Sequence, residues 1–412
     1  MGCLEKKPKE PTQTFISLSS EMINSSLSAA ESWLYQQAEN RNESYLINST
    51  NDPSFLTTYA EFYLPLLIST LSQTNTSFLE LHEETLQTLL SMIDANKSNS
   101  FDMNSFLRSV LILQILLKSP YFDAYEEQAG TLCSQLIEAY PYTDVFSSYQ
   151  QGEGLLTYHF NMAELSLCLL SYFERTQNIS SYQYAEWILQ NTTTLQENLT
   201  TDQLYLISSS FYLPSYEMIQ SLGNISTYNQ HMSLTTEELI VYQDKSIEHL
   251  GSYQNITKQS SDFPYVFLEV VLSDAMVTSL SAAIKSGYST NITKRLLISS
   301  VLSCYHLIQL QLDFSDSIKD NGSFPGNSSE MIPSILSTVR AYVFLNHVRL
   351  ILADHEPYLY VYHMGSDVLY ESHPEVREES IALWVALAIG TICSIICLGV
   401  VYLIVTLKRR FK

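Results

Sequence analysis

The residues of this chain whose type and spacing most plainly allow chemistry are its asparagines. Twenty are present, and 13 begin an Asn-x-Ser/Thr triplet: Asn24, Asn42, Asn48, Asn75, Asn96, Asn178, Asn191, Asn198, Asn224, Asn255, Asn291, Asn321 and Asn327. Ser and Thr together are 85 of 412 residues, so chance would give about 4 such triplets among the asparagines. The triplet accepts an oligosaccharide on the Asn amide, a modification of surface positions outside the cytoplasm. Other chemical signatures are missing from the sequence. It has no phosphate-binding glycine loop, no His-Glu-x-x-His pair, no Ser or Cys nucleophile motif and no metal-ligand spacing. Neither a metal nor a cofactor is expected. The cysteines (Cys3, Cys133, Cys168, Cys304, Cys393 and Cys397) are too few to staple the fold. A Cys133–Cys168 bridge and three buried free thiols suit the sequence equally.

The 27 residues 381–407 carry no charge, and a spanning helix needs about 20. Trp384 and Tyr402 lie near its ends, where aromatic rings favour the interface, and Lys408, Arg409, Arg410 and Lys412 follow at once. The outer flank (Glu371, Glu375, Arg377, Glu378, Glu379) is mostly acidic. The positive-inside rule therefore predicts a single-pass cell-membrane protein. Residues 381–407 would cross the lipid bilayer, the N-terminal domain would lie outside, and the tail 408–412 would be cytoplasmic. All 13 sequons precede the span.

Residues 1–13 read as a tether. Its opening, Met1-Gly2-Cys3-Leu4-Glu5-Lys6-Lys7-Pro8, has no apolar stretch. It resembles the mature start of a prokaryotic lipoprotein, which implies lipidation at Cys3 and a signal upstream. Myristoylation of Gly2 fits less well, because Lys6 stands where Ser or Thr is expected. The tail holds four of the 21 basic residues, leaving 17 against 43 acidic ones. That balance opposes binding to nucleic acid or to anionic membrane surfaces. Many sequons, few cysteines and excess acid point to an archaeal cell surface.

Residues 14–356 read as one α-helical domain outside the cell. Met103, Phe106, Val110, Leu113 and Leu117 step by three and four, one apolar stripe on a helix. Met162, Leu165, Leu169 and Tyr172 repeat the pattern, as do Ile332, Ile335, Val339 and Tyr342. Breaks at Pro53, Pro120, Pro141, Asn224, Pro264 and Gly322 divide the run. Helices are predicted at 16–38, 54–72, 77–95, 102–118, 122–139, 159–176, 181–190, 202–212, 214–230, 235–251, 264–286, 292–313 and 330–353. Only 12 glycines leave little material for hairpin turns or a dinucleotide fold. Helical hairpins bury their stripes best by stacking, so an all-α toroid or solenoid is expected. Residues 357–380 read as a juxtamembrane linker. Within it, alternation over 358–371, with a turn at Met364-Gly365-Ser366-Asp367, predicts a β-hairpin.

Two segments support a closer comparison. Phe160-Asn161-Met162-Ala163-Glu164-Leu165, then Leu169 to Thr176, then Tyr182 and Tyr184-Ala185-Glu186-Trp187-Ile188-Leu189 resemble a hairpin of the (α/α)6 toroids, the six-hairpin glycosidases and sugar epimerases. Lys319-Asp320-Asn321-Gly322-Ser323-Phe324-Pro325 and the helix bearing Thr338, Ala341 and Tyr342 are similar to a second unit of that group. About 60 residues carry the resemblance. It implies a carbohydrate-active site at the toroid mouth, with glycans as partners, yet no catalytic residue transfers by motif.

Glycoside hydrolysis needs two carboxyls. Candidates at loop-to-helix junctions are Asp102, Glu153, Glu164, Asp320 and Glu330. Asp102 and Glu330 read first as helix-start residues that offset orphan amides. Glu153 lies between two glycines, where backbone can approach a ligand or a charge can stay in solvent. Glu164 is one turn beyond Asn161, with His159 nearby, as a ligand-binding group or a satisfied buried cluster. Glu153, Glu164 and Asp102 are thus the catalytic candidates, and Asn161 and His159 the ligand-binding ones. No sequon falls between Asn96 and Asn178, which makes 100–177 the first region to search. The expectation is a membrane-anchored surface glycoprotein that binds or processes carbohydrate. The competing expectation is a non-enzymatic adhesion, envelope or partner-binding protein on the same scaffold, with another surface protein as partner.

Overall fold

The computed structural model describes residues 15–39, 65–68, 71, 78–95, 103–139, 155–196, 202–223, 229–246, 248–258, 263–285, 290–314, 322–326, 333–353, 359–363 and 368–372. These are mostly helical. In chain order the helices are α1 (Ser20–Glu39), α2 (Leu79–Ala95), α3 (Met103–Lys118), α4 (Glu126–Ala139), α5 (Leu155–Thr176), α6 (Ile179–Gln196), α7 (Asp202–Phe211), α8 (Leu213–Gly223), α9 (Asn229–Tyr242), α10 (Gln254–Thr257), α11 (Tyr265–Lys285), α12 (Thr290–Phe314) and α13 (Ile335–Ala353). A 3-10 turn, Phe122–Ala124, precedes α4. The predicted span 381–407, Cys3, and the candidates Asp102 and Glu153 lie outside the described residues.

Contacts divide the chain into two compact units, Met22–Ile351 and the paired segments Met1–Glu21 with Leu352–Lys412. In the second unit β1 (Phe15–Ser19), β2 (Leu359–His363) and β3 (Val368–Ser372) form an antiparallel sheet in that order. The register pairs Ile16 with Tyr362, Leu18 with Tyr360, and Tyr362 with Leu369. The hairpin expected at 358–371 is present as β2 and β3. Residues 16–19 were expected to open the first helix and instead form the third strand, because Phe15–Ser19 finds a free edge on β2.

The helical unit is built around α5 and α11. Fifteen of the 22 residues of α5 are buried, as are 17 of the 21 in α11. A helix apolar on all sides belongs in an interior. The serines and threonines in this core do not break it. Ser171, Ser210, Ser273, Ser279 and Thr176 each donate to the carbonyl four residues earlier at 2.7–3.0 Å, which satisfies the hydroxyls inside the helix.

The connection between α5 and α6 is two residues long. Gln177 takes a left-handed φ of 59° and donates to Phe173 O, ending α5 as a C-terminal cap does. Asn178 then caps α6, accepting from Ser181 N at 3.1 Å. Phe173 and Tyr182 close the hairpin at 4.9 Å. The second compared segment wedges between α1, α12 and α13. Gly322 has φ +99°, and a Cβ there would stand 2.1 Å from Ala29 O, so only glycine fits. Gln311 of α12 donates to Gly322 O at 2.8 Å, and Thr338 Oγ1 of α13 accepts from Phe324 N at 2.8 Å. Helical hairpins are therefore the building units.

Two described helices, α11 and residues 335–352 of α13, are long and apolar enough to cross a membrane. Most of α11 is buried by the rest of its own unit, as a core helix is.

Candidate functional site

Helix directions set up the site. Contacts from α5 to the segment beginning α8 advance together: His159 with Tyr212, Ser166 with Ser215, Ser171 with Met218. These two helices run parallel. Against α3 the order reverses, Cys168 with Val110 and Glu164 with Gln114, so α3 and α5 are antiparallel. Where α3, α5, α11 and α13 meet, four ionisable side chains gather, Glu164 buried and Arg340, Asp274 and His347 partly so.

Glu164 is 7% exposed. Its Oε2 accepts from Gln114 Nε2 at 2.9 Å, and its Oε1 from Arg340 Nη2 at 3.3 Å. Across the same small cavity, Asp274 Oδ1 lies 3.1 Å from His347 Nδ1. Burial works to raise the Asp274 carboxyl, but the hydrogen bond and charge of His347, with the charge of Arg340, hold it below its ordinary value. Burial likewise opposes charge on His347, yet Asp274 holds its imidazolium and leaves it above the usual range. One guanidinium thus serves two carboxylates from two helices. The cavity is lined by Phe160, Glu164, Ser210, Phe211, Asp274 and Arg340, among others, and encloses about 10 Å³, room for at most one water.

Asn161 and His159 stand apart from this network. Among the described residues, neither end of the Asn161 amide meets a partner, although the residue is 1% exposed, and that leaves its desolvation cost uncompensated. His159 turns to Tyr212, between α7 and α8, its Nδ1 3.1 Å from Tyr212 OH. Burial lowers its pKa to about 3 and so favours the neutral ring. Five residues of helix separate His159 from Glu164, enough rotation to face different neighbours.

A second buried carboxylate, on α11, has no counterpart among the sequence candidates. Glu269 is fully buried, and both its oxygens accept from Tyr253 N, at 3.0 and 2.8 Å. It caps the short α10. Desolvation outweighs these bonds and raises its pKa to about 7. The signal for Glu269, Asp274, Arg340 and His347 was present in the sequence: ionisable residues in the middle of mostly apolar helices, where side chains have little access to water.

Among the described residues no three His, Cys, Asp or Glu side chains gather as a metal site. Cys133, Cys168 and Cys304 are buried free thiols, and burial pushes the Cys133 thiol up to about 12, which makes it inert. Of the sequon asparagines, Asn24, Asn178, Asn255 and Asn291 are exposed and Asn191 is half-buried. Asn191 donates to Trp187 O at 2.8 Å. The other eight lie outside the described residues.

Searches against protein families, curated proteins and solved structures find no match to this chain. The class of protein therefore rests on the fold and the site: a helical-hairpin domain with a paired, largely buried charge network.

Proposed function

We propose that this chain is a single-pass cell-surface glycoprotein. Its helical-hairpin ectodomain, read as a toroid or solenoid, serves adhesion, envelope structure or partner capture without catalysing a reaction. The observation that carries this reading is the state of Glu164. Its carboxylate is engaged by both Gln114 and Arg340, and the adjoining cavity holds about 10 Å³. A glycosidase acid needs its pKa raised and a sugar beside it, whereas Asp274, the second carboxylate here, is held low. The exposed sequons support the surface assignment, as does the charge-free run 381–407 with the basic residues that follow it.

The test is incubation of the glycosylated protein with a panel of polysaccharides. The expected result is no hydrolysis, by wild type or by Glu164→Gln. Turnover that disappears in a folded Glu164→Gln variant would defeat the proposal.

A further inference from the structure

Helices α9, α11 and α12 leave a shallow groove of about 50 Å³ between them. Its floor is apolar: Met232 and Ile240 of α9, Ala283 of α11, Ile292 and Leu296 of α12. At one end Gln220 lines it, and its Nε2, a buried donor, meets no acceptor among the described residues. Such a surface combines an apolar bed with an unanswered donor, as sites for amphipathic ligands do.

The rim indicates what covers it. Glu237 lines the groove and is bound by Arg295 through both nitrogens, at 2.9 and 2.8 Å. Asn291 is exposed and lies one turn before Arg295 on α12, so the two share the side that faces α9. The residue after it, Ile292, lines the groove and is 38% exposed. On α9, Leu234 and Val241 flank Glu237 at helical spacing and are 57% and 75% exposed. An acceptor asparagine thus stands beside a concentration of solvent-facing apolar side chains, the kind of patch that calls for a cover.

We propose that this groove seats the first sugars of the oligosaccharide on Asn291, so that the protein's own glycan covers the apolar surface of α9 and α12. The inference rests on the glycoprotein reading above. A sugar ring presents C–H groups to the exposed Ile292 at the groove mouth, above Met232, Ile240 and Leu296, and an oxygen towards Gln220. Because the glycan is tethered at the rim, its effective concentration is of order millimolar, and weak contacts suffice.

The experiment uses the full chain, expressed in a host that glycosylates it, with occupancy read by glycopeptide mass spectrometry. Amide hydrogen exchange is followed over residues 229–242. Asn291→Gln and Thr293→Ala both remove the sequon. Thr293→Ser retains it, and Ser180→Ala removes the equally exposed sequon at Asn178 as a control. The expected result is a glycan on Asn291 and exchange over 229–242 that rises roughly three- to tenfold in Asn291→Gln and Thr293→Ala only. Unchanged exchange in those two variants overturns the inference, as does a bare Asn291 in a chain glycosylated elsewhere. A chain bare at every sequon overturns the glycoprotein reading as well.

Discussion

Arg340→Met is the substitution that bears hardest on the central network. The Arg340 and Glu164 side chains are 18% and 9% exposed, so solvent screens their interaction little. Methionine keeps most of the aliphatic length and removes the guanidinium. Glu164 is then left with Gln114, Asp274 is left with His347, and two buried carboxylates lose their shared counter-charge. Breaking a buried pair in this way costs about 3–5 kcal/mol, a large share of the roughly 5–15 kcal/mol that holds a domain folded. With a urea dependence of ~3 kcal/mol per molar, the unfolding midpoint should fall by roughly 1–2 M. Adding Glu164→Gln should restore part of the loss, with a coupling of about 1–3 kcal/mol. Recovery stays incomplete because Asp274 still lacks the guanidinium. The assay is urea unfolding of the full chain in mild detergent, followed by far-ultraviolet circular dichroism. A loss below about 1 kcal/mol, or two substitutions that simply add, would refute the reasoning.

Glu269 gives a pH signature. Its folded pKa is raised from 4.5 to about 7, so the folded state keeps a proton that the unfolded state releases. Its contribution is fully present below pH ~4.5 and is lost as pH rises to about 7, an effect of ~3 kcal/mol. Glu269→Gln should therefore gain stability relative to wild type across that window, and parallel pH profiles would count against the assignment. Gly322→Ala places a Cβ 2.1 Å from Ala29 O at a left-handed φ and should cost ~3 kcal/mol or more in thermal unfolding. Gly326→Ala meets Ser334 Cβ at 3.5 Å and Oγ at 3.9 Å, ordinary contact distances, and should change stability by less than about 1 kcal/mol. Equal effects at the two glycines would contradict the described wedge.

Much of the helical layout was legible because it depends on local pattern. The stripes of α3, α5 and α13 and the start after Pro264 come from residues a turn or two apart, whereas the helices predicted at 214–230 and 235–251 are Leu213–Gly223 and Asn229–Tyr242. The strand Phe15–Ser19 was missed because its partner, Leu359–His363, is more than 300 residues away, and five residues can read as the start of a helix. The site divides the same way. Glu164 was named from its place on α5, and Gln114 falls in the sequon-free stretch 100–177. Arg340 lies 176 residues further on, and no spacing rule reaches that far. Glu164 was read with Asn161 one turn before it and His159 nearby; the structure turns the His159 ring to Tyr212 and the Glu164 carboxylate to Gln114 and Arg340. Asp102 and Glu153 lie outside the described residues and are not part of the geometric argument.

The surface-glycoprotein claim is tested most directly by site-resolved glycopeptide mass spectrometry of the chain taken from the surface of the cells that make it. The account predicts oligosaccharide on the exposed acceptors Asn24, Asn178, Asn255 and Asn291. A surface-accessible chain with all four bare, or a chain found only inside the cytoplasm, would contradict it.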